Sequence, residues 1–432
     1  MSEDVIVREF GSLRWGEGGN LSRRAYDFLK NEVLRGGLAG TNVLTLGARN
    51  GRESLNVQNY VGVLSTPDGT VIEILPKNTS DSDTVEYSRR ILLKMLSVVY
   101  GLNWKQATDA TLDTRNARLP DILVERFLET VGRLVRVGLR SDYLRRREQA
   151  KYLKGRLNVA KQIRLPPTKR TDFCIEYDRF SVDRPENRLI KLALMTVVRW
   201  RLSPLNKRLA KELLLSFTDV EASVNVKVDF RSWRSQRDMV HYRPVYPWLE
   251  LILNELSPWA FSGKWQGISM LFPMEELFER YVYRMLGKRL VAGYSMKEQA
   301  QSEYLARHNG KPIFQLKPDI LVKKGSRNYC IMDTKWKLLD QSAAESGIKY
   351  KLSQADFYQM FAYGHKYLEA TGRLLLIFPR HSQFQDGLPP FALEHELELW
   401  ALPYDLDRDE LCLPVGLELP FLTSTHQSAM AA

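Results

Sequence analysis

The stretch Lys317-Pro318-Asp319-Ile320-Leu321-Val322, then the turn Gly325-Ser326-Arg327-Asn328, then Tyr329-Cys330-Ile331-Met332-Asp333-Thr334-Lys335-Trp336, decides the reading of this chain. Two apolar runs joined by a glycine turn predict neighbouring strands over 313–323 and 329–335. One carboxylate opens a strand and another closes its neighbour. Side chains alternate along a strand with period two, so Asp333 and Lys335 point to one face, and hairpin pairing brings Asp319 alongside them. Two carboxylates and an ammonium at a strand end suit a hard dication. Mg²⁺, with Mn²⁺ as the alternative ion, takes oxygen ligands, keeps several waters and is held by one or two carboxylates plus substrate phosphate. Such an ion would activate water and polarise a phosphoryl oxygen. Lys335 would orient that water or offset charge building on the phosphate.

The flanking sequence extends the pattern. Upstream, Pro273-Met274-Glu275-Glu276-Leu277-Phe278-Glu279-Arg280-Tyr281 opens a helix over 274–290, with proline near its start and a core stripe of Leu277, Phe278, Tyr281, Val282 and Met285. Glu279 can line the cleft as a third metal carboxylate. Downstream, Gln359 and Tyr363 sit at i and i+4 of a helix over 354–368, share a face, and can hold a phosphate or the lysine. Strands over 373–378 and 396–402 complete an α/β unit spanning 266–412. Taken singly, Pro-Asp is a turn or cap, Asp-x-Lys an exposed strand end, and a helix glutamate a solvated side chain. The order helix Glu, strand Asp, strand Asp-x-Lys, helix Gln-x-x-x-Tyr makes Glu279, Asp319, Asp333, Lys335 and Gln359 a catalytic set, with Asp319, Asp333 and Glu279 as metal ligands.

The rest of the chain reads as two further parts, so the expected fold class is α+β and multidomain. Residues 1–80 are β-rich, with runs at 43–46, 57–64 and 70–75 and the Pro67-Asp68-Gly69 turn between the last two. The polar run Asn78-Thr79-Ser80-Asp81-Ser82-Asp83 reads as a linker. Residues 86–262 are mainly helical, over 90–100, 121–137, 189–215 and 245–256, with a boundary near Ser257-Pro258-Trp259 and 263–267. Two β-like runs, 156–165 and 172–180, flank Pro166-Pro167-Thr168-Lys169-Arg170 and predict a basic hairpin inserted among the helices.

Charge and cysteine usage narrow the function classes. The chain carries 63 Lys and Arg against 51 Asp and Glu, a net +12 that favours an anionic partner. Residues 130–210 hold 21 basic against 7 acidic residues, a net +14, so the excess is regional and marks a surface facing an anion or a partner. Cys174, Cys330 and Cys412 lie far apart without a CxxC pair, so neither a disulfide framework nor a cysteine zinc site is suggested. No apolar run approaches the roughly 18–20 residues of a membrane span, and the start lacks an apolar signal core, so a soluble cytoplasmic protein is expected. There is no GxxxxGK[ST]; Gly310-Lys311 is followed by Pro312, so any NTP-driven step needs another subunit. HExxH is absent too, and the six histidines show no paired metal-ligand spacing, so zinc hydrolysis is not expected.

The order of the site motifs resembles the PD-(D/E)xK nuclease fold, and specifically the McrC family of McrBC modification-dependent restriction systems. Further marks are Asp68-Gly69-Thr70-Val71-Ile72-Glu73-Ile74-Leu75-Pro76-Lys77, Gly138-Leu139-Arg140 to Tyr143, Leu153-Lys154-Gly155-Arg156-Leu157, Glu186-Asn187-Arg188-Leu189-Ile190-Lys191 and Leu277-Phe278-Glu279. Asp319, Asp333 and Lys335 match the family's catalytic positions; the helix glutamate is Glu279 or Glu276. The resemblance implies a DNA endonuclease subunit that binds a hexameric AAA+ GTPase, McrB, projects an element into its pore and stimulates GTP hydrolysis, while the partner recognises modified cytosine and translocates double-stranded DNA. GTP is then used by the partner, not by this chain. Lys169 and Arg170 in the basic hairpin are candidates for that projecting element or for gripping the DNA backbone. Two other readings stand beside this one: a noncatalytic NTPase activator, and a freestanding repair nuclease.

Overall fold

The computed structural model describes residues 4–35, 42–49, 51–77, 84–102, 118–169, 171–233, 237–253, 269–344 and 349–423. The linker expected at 78–83 and the boundary expected at 257–267 lie outside these. Contacts divide the chain into two compact units, 1–103 with 270–432, and 104–269. This differs from three consecutive domains at 1–80, 86–262 and 266–412, because strand Ser269–Pro273 joins the N-terminal sheet. That sheet orders Asp4–Arg8, Val71–Leu75, Tyr60–Ser65 and Ser269–Pro273. Gly62 admits the last strand: at φ +129, a Cβ there would stand 2.0 Å from the Met270 carbonyl oxygen. The apolar run over 57–64 is not one strand. It breaks at Gln58-Asn59, so that Arg52–Val57 pairs with Leu44–Arg49 in a second sheet while Tyr60–Ser65 pairs with Val71–Leu75.

Beyond these sheets, helix Val85–Tyr100 is capped by the Thr84 side chain and packs against helix Met274–Gly287. The C-terminal part is a mixed seven-stranded sheet in the order Tyr294–Glu298, Ile320–Lys324, Arg327–Thr334, Thr371–Pro379, Glu396–Asp405 and Phe391–Ala392, with Glu410–Leu411 also on Glu396–Asp405. The expected strand over 313–323 is two. Pro318 offers no N–H to a ladder, and Lys311–Gln315 turns away to pair with Tyr304–His308, whereas Ile320–Lys324 enters the large sheet. Strands Arg327–Thr334 and Thr371–Pro379 are parallel, which requires a crossover. Helix Gln354–Tyr367 supplies it, laying Met360, Tyr363 and Tyr367 on Leu374, Leu376, Leu397 and Leu399. Gly364 lets it lie close, since a Cβ would come within 2.8 Å of Leu397.

The second unit is mainly helical, through Leu119–Val137, Pro185–Arg199, Pro204–Leu215, Val226–Arg231 and Tyr246–Leu253. Proline starts three of these helices, where its missing N–H costs nothing. The basic hairpin is built differently from expectation. Phe173–Ser181 pairs along its whole length with Asp142–Ala150, a strand rich in arginine, and Arg156–Leu157 adds only two residues. After that, Asn158 accepts a hydrogen bond from the Lys161 N–H and starts the helical turn Val159–Gln162. Pro167–Lys169 is a 3₁₀ turn with Lys169 exposed; Arg170 lies outside the described residues.

Candidate active site

The site is built where strand Arg327–Thr334 runs out. Asp333 is 1% exposed, and the next residue but one remains in register because the Lys335 N–H donates to the Ile377 carbonyl at 2.8 Å. Lys335 Nζ lies 2.5 Å from Asp333 Oδ2. Asp333 Oδ1 is buried and receives no hydrogen bond. Just ahead of the neighbouring strand Ile320–Lys324, Asp319 Oδ2 accepts from both the N–H and the Oγ1 of Thr334, each at 2.7 Å. Asp319 is therefore tied to Thr334, and Asp333 is the carboxylate paired with the lysine.

Two helices bring the remaining groups. On Gln354–Tyr367, Gln359 Oε1 accepts from Lys335 Nζ at 3.2 Å, Gln359 Nε2 donates to Tyr363 Oη at 2.7 Å, and Tyr363 Oη donates to the Lys317 carbonyl at 2.9 Å. The i, i+4 pair thus forms a fixed relay from the lysine to the segment leading into strand Ile320–Lys324. On Met274–Gly287, Glu279 is half-buried and accepts from Gln299 Nε2 at 3.0 Å, whereas Glu276 is exposed. Lys169 belongs to the other unit.

Electrostatics follow from burial. Desolvation and the charge of Asp319 push the Asp333 carboxyl up to about 7, against the pull of Lys335. Burial, with Asp319 and Asp333 nearby, pushes Glu279 up to about 7 as well, with Gln299 opposing. Asp319 is raised by burial in spite of its Thr334 hydrogen bonds. For Lys335, burial disfavours the charge, but the contact with Asp333 together with the charges of Asp319 and Asp356 lifts the ammonium above its ordinary value. Three carboxylates and one ammonium therefore carry a charge deficit that a dication would neutralise. The all-oxygen donor set and the bare Asp333 oxygen fit Mg²⁺, which one or two carboxylates with waters and phosphate suffice to hold. The three do not converge into a closed cage: among the described residues, the group whose ligand atoms fall within 4.8 Å of one another is His365, Glu394 and His395.

Sequence reasoning missed a buried buttress behind the lysine. Trp336 Nε1 donates to Glu9 Oε1 at 2.5 Å, the same oxygen accepts from the Lys77 N–H at 2.7 Å, and Lys77 Nζ donates to the Trp336 carbonyl at 2.5 Å. Desolvation raises the Glu9 carboxyl, which Lys77 opposes. The one signal available was Lys77 closing the Asp68 to Lys77 motif; nothing in the sequence connects Glu9 to a residue more than three hundred positions later.

Fold and site together define a mixed α/β protein with a carboxylate–lysine cluster at a strand end. The chain belongs to the McrBC 5-methylcytosine restriction system component family, whose profile matches residues 55–379. Solved structures similar to the chain include the following two. One, a refined half-complex from the tetradecameric assembly of Thermococcus gammatolerans McrB AAA+ hexamers with bound McrC, aligns at 18% identity and TM-score 0.67 over 97% of both chains, and so shares the fold. The other, the Thermococcus gammatolerans McrBC complex, aligns at 21% identity and TM-score 0.48 over 66% of this chain and 87% of that one. No curated protein matches the sequence. Among the described residues no helix is long and apolar enough to cross a membrane.

Proposed function

We propose that this chain is the Mg²⁺-dependent, PD-(D/E)xK-type endonuclease subunit of a McrBC-like restriction complex, cutting double-stranded DNA that carries methylcytosine when driven by a McrB-like AAA+ GTPase hexamer whose hydrolysis it stimulates. The observation that carries the reading is Asp333, buried at the end of its strand, ion-paired to Lys335 and one bond network away from Asp319. Family membership and a fold shared over nearly the whole length with a chain of a McrB–McrC assembly support the partner, and make a freestanding repair nuclease the weaker reading. The intact acid, acid and lysine set weighs against a purely noncatalytic activator.

Asp319, Asp333 and Glu279 would hold Mg²⁺, or Mn²⁺ in its place; when bound, the ion supplies Lewis acidity and an activated water. The chain's own residues do the rest. Thr334 fixes the Asp319 carboxylate through two hydrogen bonds, and Gln299 fixes Glu279. Lys335 places a permanent positive charge where the scissile phosphate gains negative charge, and the relay through Gln359 and Tyr363 keeps that ammonium aimed. Burial and the neighbouring carboxylates hold the Glu279 carboxyl near neutrality before an ion arrives, so taking up the ion would release its proton.

The test is cleavage of methylated duplex DNA with the partner, GTP and Mg²⁺. Asp333→Ala and Lys335→Ala each remove a charge that acts in the transition state and are expected to lower the rate by about 10³-fold or more, roughly 4 kcal/mol, while partner binding persists. Either variant cutting at the wild-type rate overturns the assignment.

A further inference from the structure

We propose that His365, Glu394 and His395 form a binding site for a borderline transition-metal dication of the Zn²⁺ class, separate from the carboxylate–lysine site. One ligand atom from each of the three lies within 4.8 Å of the other two. The two imidazole rings stand 5.6 Å apart, centroid to centroid, at 72°. His365 Nε2 is buried and has no hydrogen-bond partner, a situation that folded proteins seldom leave without a ligand or water. The Phe361 ring packs against that of His365, at 4.3 Å between centroids, while Glu394 and His395 are exposed.

Backbone geometry explains how residues thirty positions apart meet. His365 sits in the last turn of helix Gln354–Tyr367. Glu394 and His395 occupy the turn between strands Phe391–Ala392 and Glu396–Asp405, closed by the Leu393 N–H on the Leu397 carbonyl at 3.0 Å. Successive side chains of an extended strand point to opposite faces. His395 instead adopts φ +62, a left-handed conformation uncommon outside glycine, and this bend lets Glu394 and His395 address the same point. Individual histidines with no short-range spacing are thus brought together by the fold.

The donor set decides the ion. Two imidazoles and one carboxylate are the ligands of open tetrahedral zinc sites, with water in the fourth position. Mg²⁺, which takes oxygen ligands, gains little from nitrogen donors and would not displace it. An ion held here would clip the end of the helix carrying Gln359 and Tyr363 to the edge of the sheet, so its binding free energy adds to the stability of the folded unit. The inference stands on these three residues and does not depend on the nuclease reading.

The experiment is a zinc titration of the chelator-stripped full chain by calorimetry, in excess MgCl₂ so that oxygen-only sites are taken. One tight Zn²⁺ per chain is expected, with a rise in the unfolding midpoint when zinc is added. His365→Ala and His395→Asn should weaken that binding by more than about a hundredfold, the upper end of what removing a mere outer-shell partner does, and should abolish the zinc-dependent rise. Asn tolerates the left-handed turn, so His395→Asn tests the imidazole apart from the backbone, and circular dichroism checks that each variant folds. Wild-type chain that binds zinc no more tightly than both variants overturns the site, as does tight binding that survives both substitutions.

Discussion

Two antiparallel strand pairs in this chain follow nearly opposite rules. The pair Ile320–Lys324 and Arg327–Thr334 lies inside the seven-stranded sheet, with every residue from Cys330 to Asp333 at most 1% exposed. Asp142–Ala150 and Phe173–Ser181 form the longer ladder, nine residues matched to nine, yet leave Tyr143 and Phe180 at 68% and 63% exposure. Both pairs carry ion pairs. In the arm, Arg147–Glu176 at 2.8 Å and Arg145–Asp178 at 3.7 Å reach into solvent, where such pairs contribute about 0–1 kcal/mol. In the sheet, the Asp333 carboxylate that meets Lys335 is buried, and desolvation together with the charge of Asp319 raises its proton affinity against the pull of that contact. Ladder length sets how firmly two strands hold each other; burial sets whether their charges become reactive.

The sharpest way to break this contrast is Asp333→Asn in metal-free protein. The folded carboxyl lies near 7, above its unfolded value of 3.8, so the fold loses stability as pH rises from about 4 through about 7, and removing the acid removes that loss. The variant should gain on the order of 2 kcal/mol relative to wild type between pH 5 and pH 8, measured by urea unfolding at both. Equal gaps at the two pH values would place the cost elsewhere. On the proposed nuclease reading, Mg²⁺ would displace the same protons, and cleavage at limiting Mg²⁺ is expected to climb through about pH 7.

A smaller effect is expected from Gln359→Leu, which cuts the relay without touching a carboxylate. Loss of an orienting partner of this kind costs about 10–100-fold in rate, read as a fall in kcat with Mg²⁺ affinity nearly unchanged; a wild-type kcat would make the relay mere packing. Least of all in stability should be Lys169→Ala, whose side chain is exposed, within about 0.5 kcal/mol; Lys169→Ala combined with Arg170→Ala tests what the basic segment binds. Its effect belongs to association. If the arm engages the partner, stimulated GTP hydrolysis falls even without DNA; if it grips DNA, stimulation persists and the salt dependence of DNA binding becomes shallower. No change in either assay would leave the arm as solvated surface.

The same contrast explains what could be read in the sequence. Asp333 and Lys335 were legible as one face because strand periodicity is two, and Gln359 with Tyr363 because helical neighbours are four apart, so local geometry was enough to assemble most of the site. Asp142–Ala150 was not legible. Its arginines on open surface carry no apolar alternation, and its strand character comes from its partner, not from its own residues. Pro318 shows the converse: it divides an apolar run that looked continuous, since a proline N cannot join the ladder. The Glu9, Lys77 and Trp336 buttress needed the closure of distant chain, which no short-range pattern encodes.

The slot opened by Gly62 ties assembly of the unit formed by 1–103 and 270–432 to the timing of synthesis. Strand Tyr60–Ser65 receives its outer neighbour only when Ser269–Pro273 arrives, about two hundred residues later, which at 5–20 residues per second is roughly 10–40 s of translation. Closing so long a loop adds only a logarithmic entropy cost, so the finished protein gives up little by the arrangement. The nascent chain, however, holds an unpaired edge throughout that interval, and helix Met274–Gly287 with its Glu279 follows directly on the strand that fills it. On the ribosome, then, the carboxylate–lysine cluster is among the last things this chain can build.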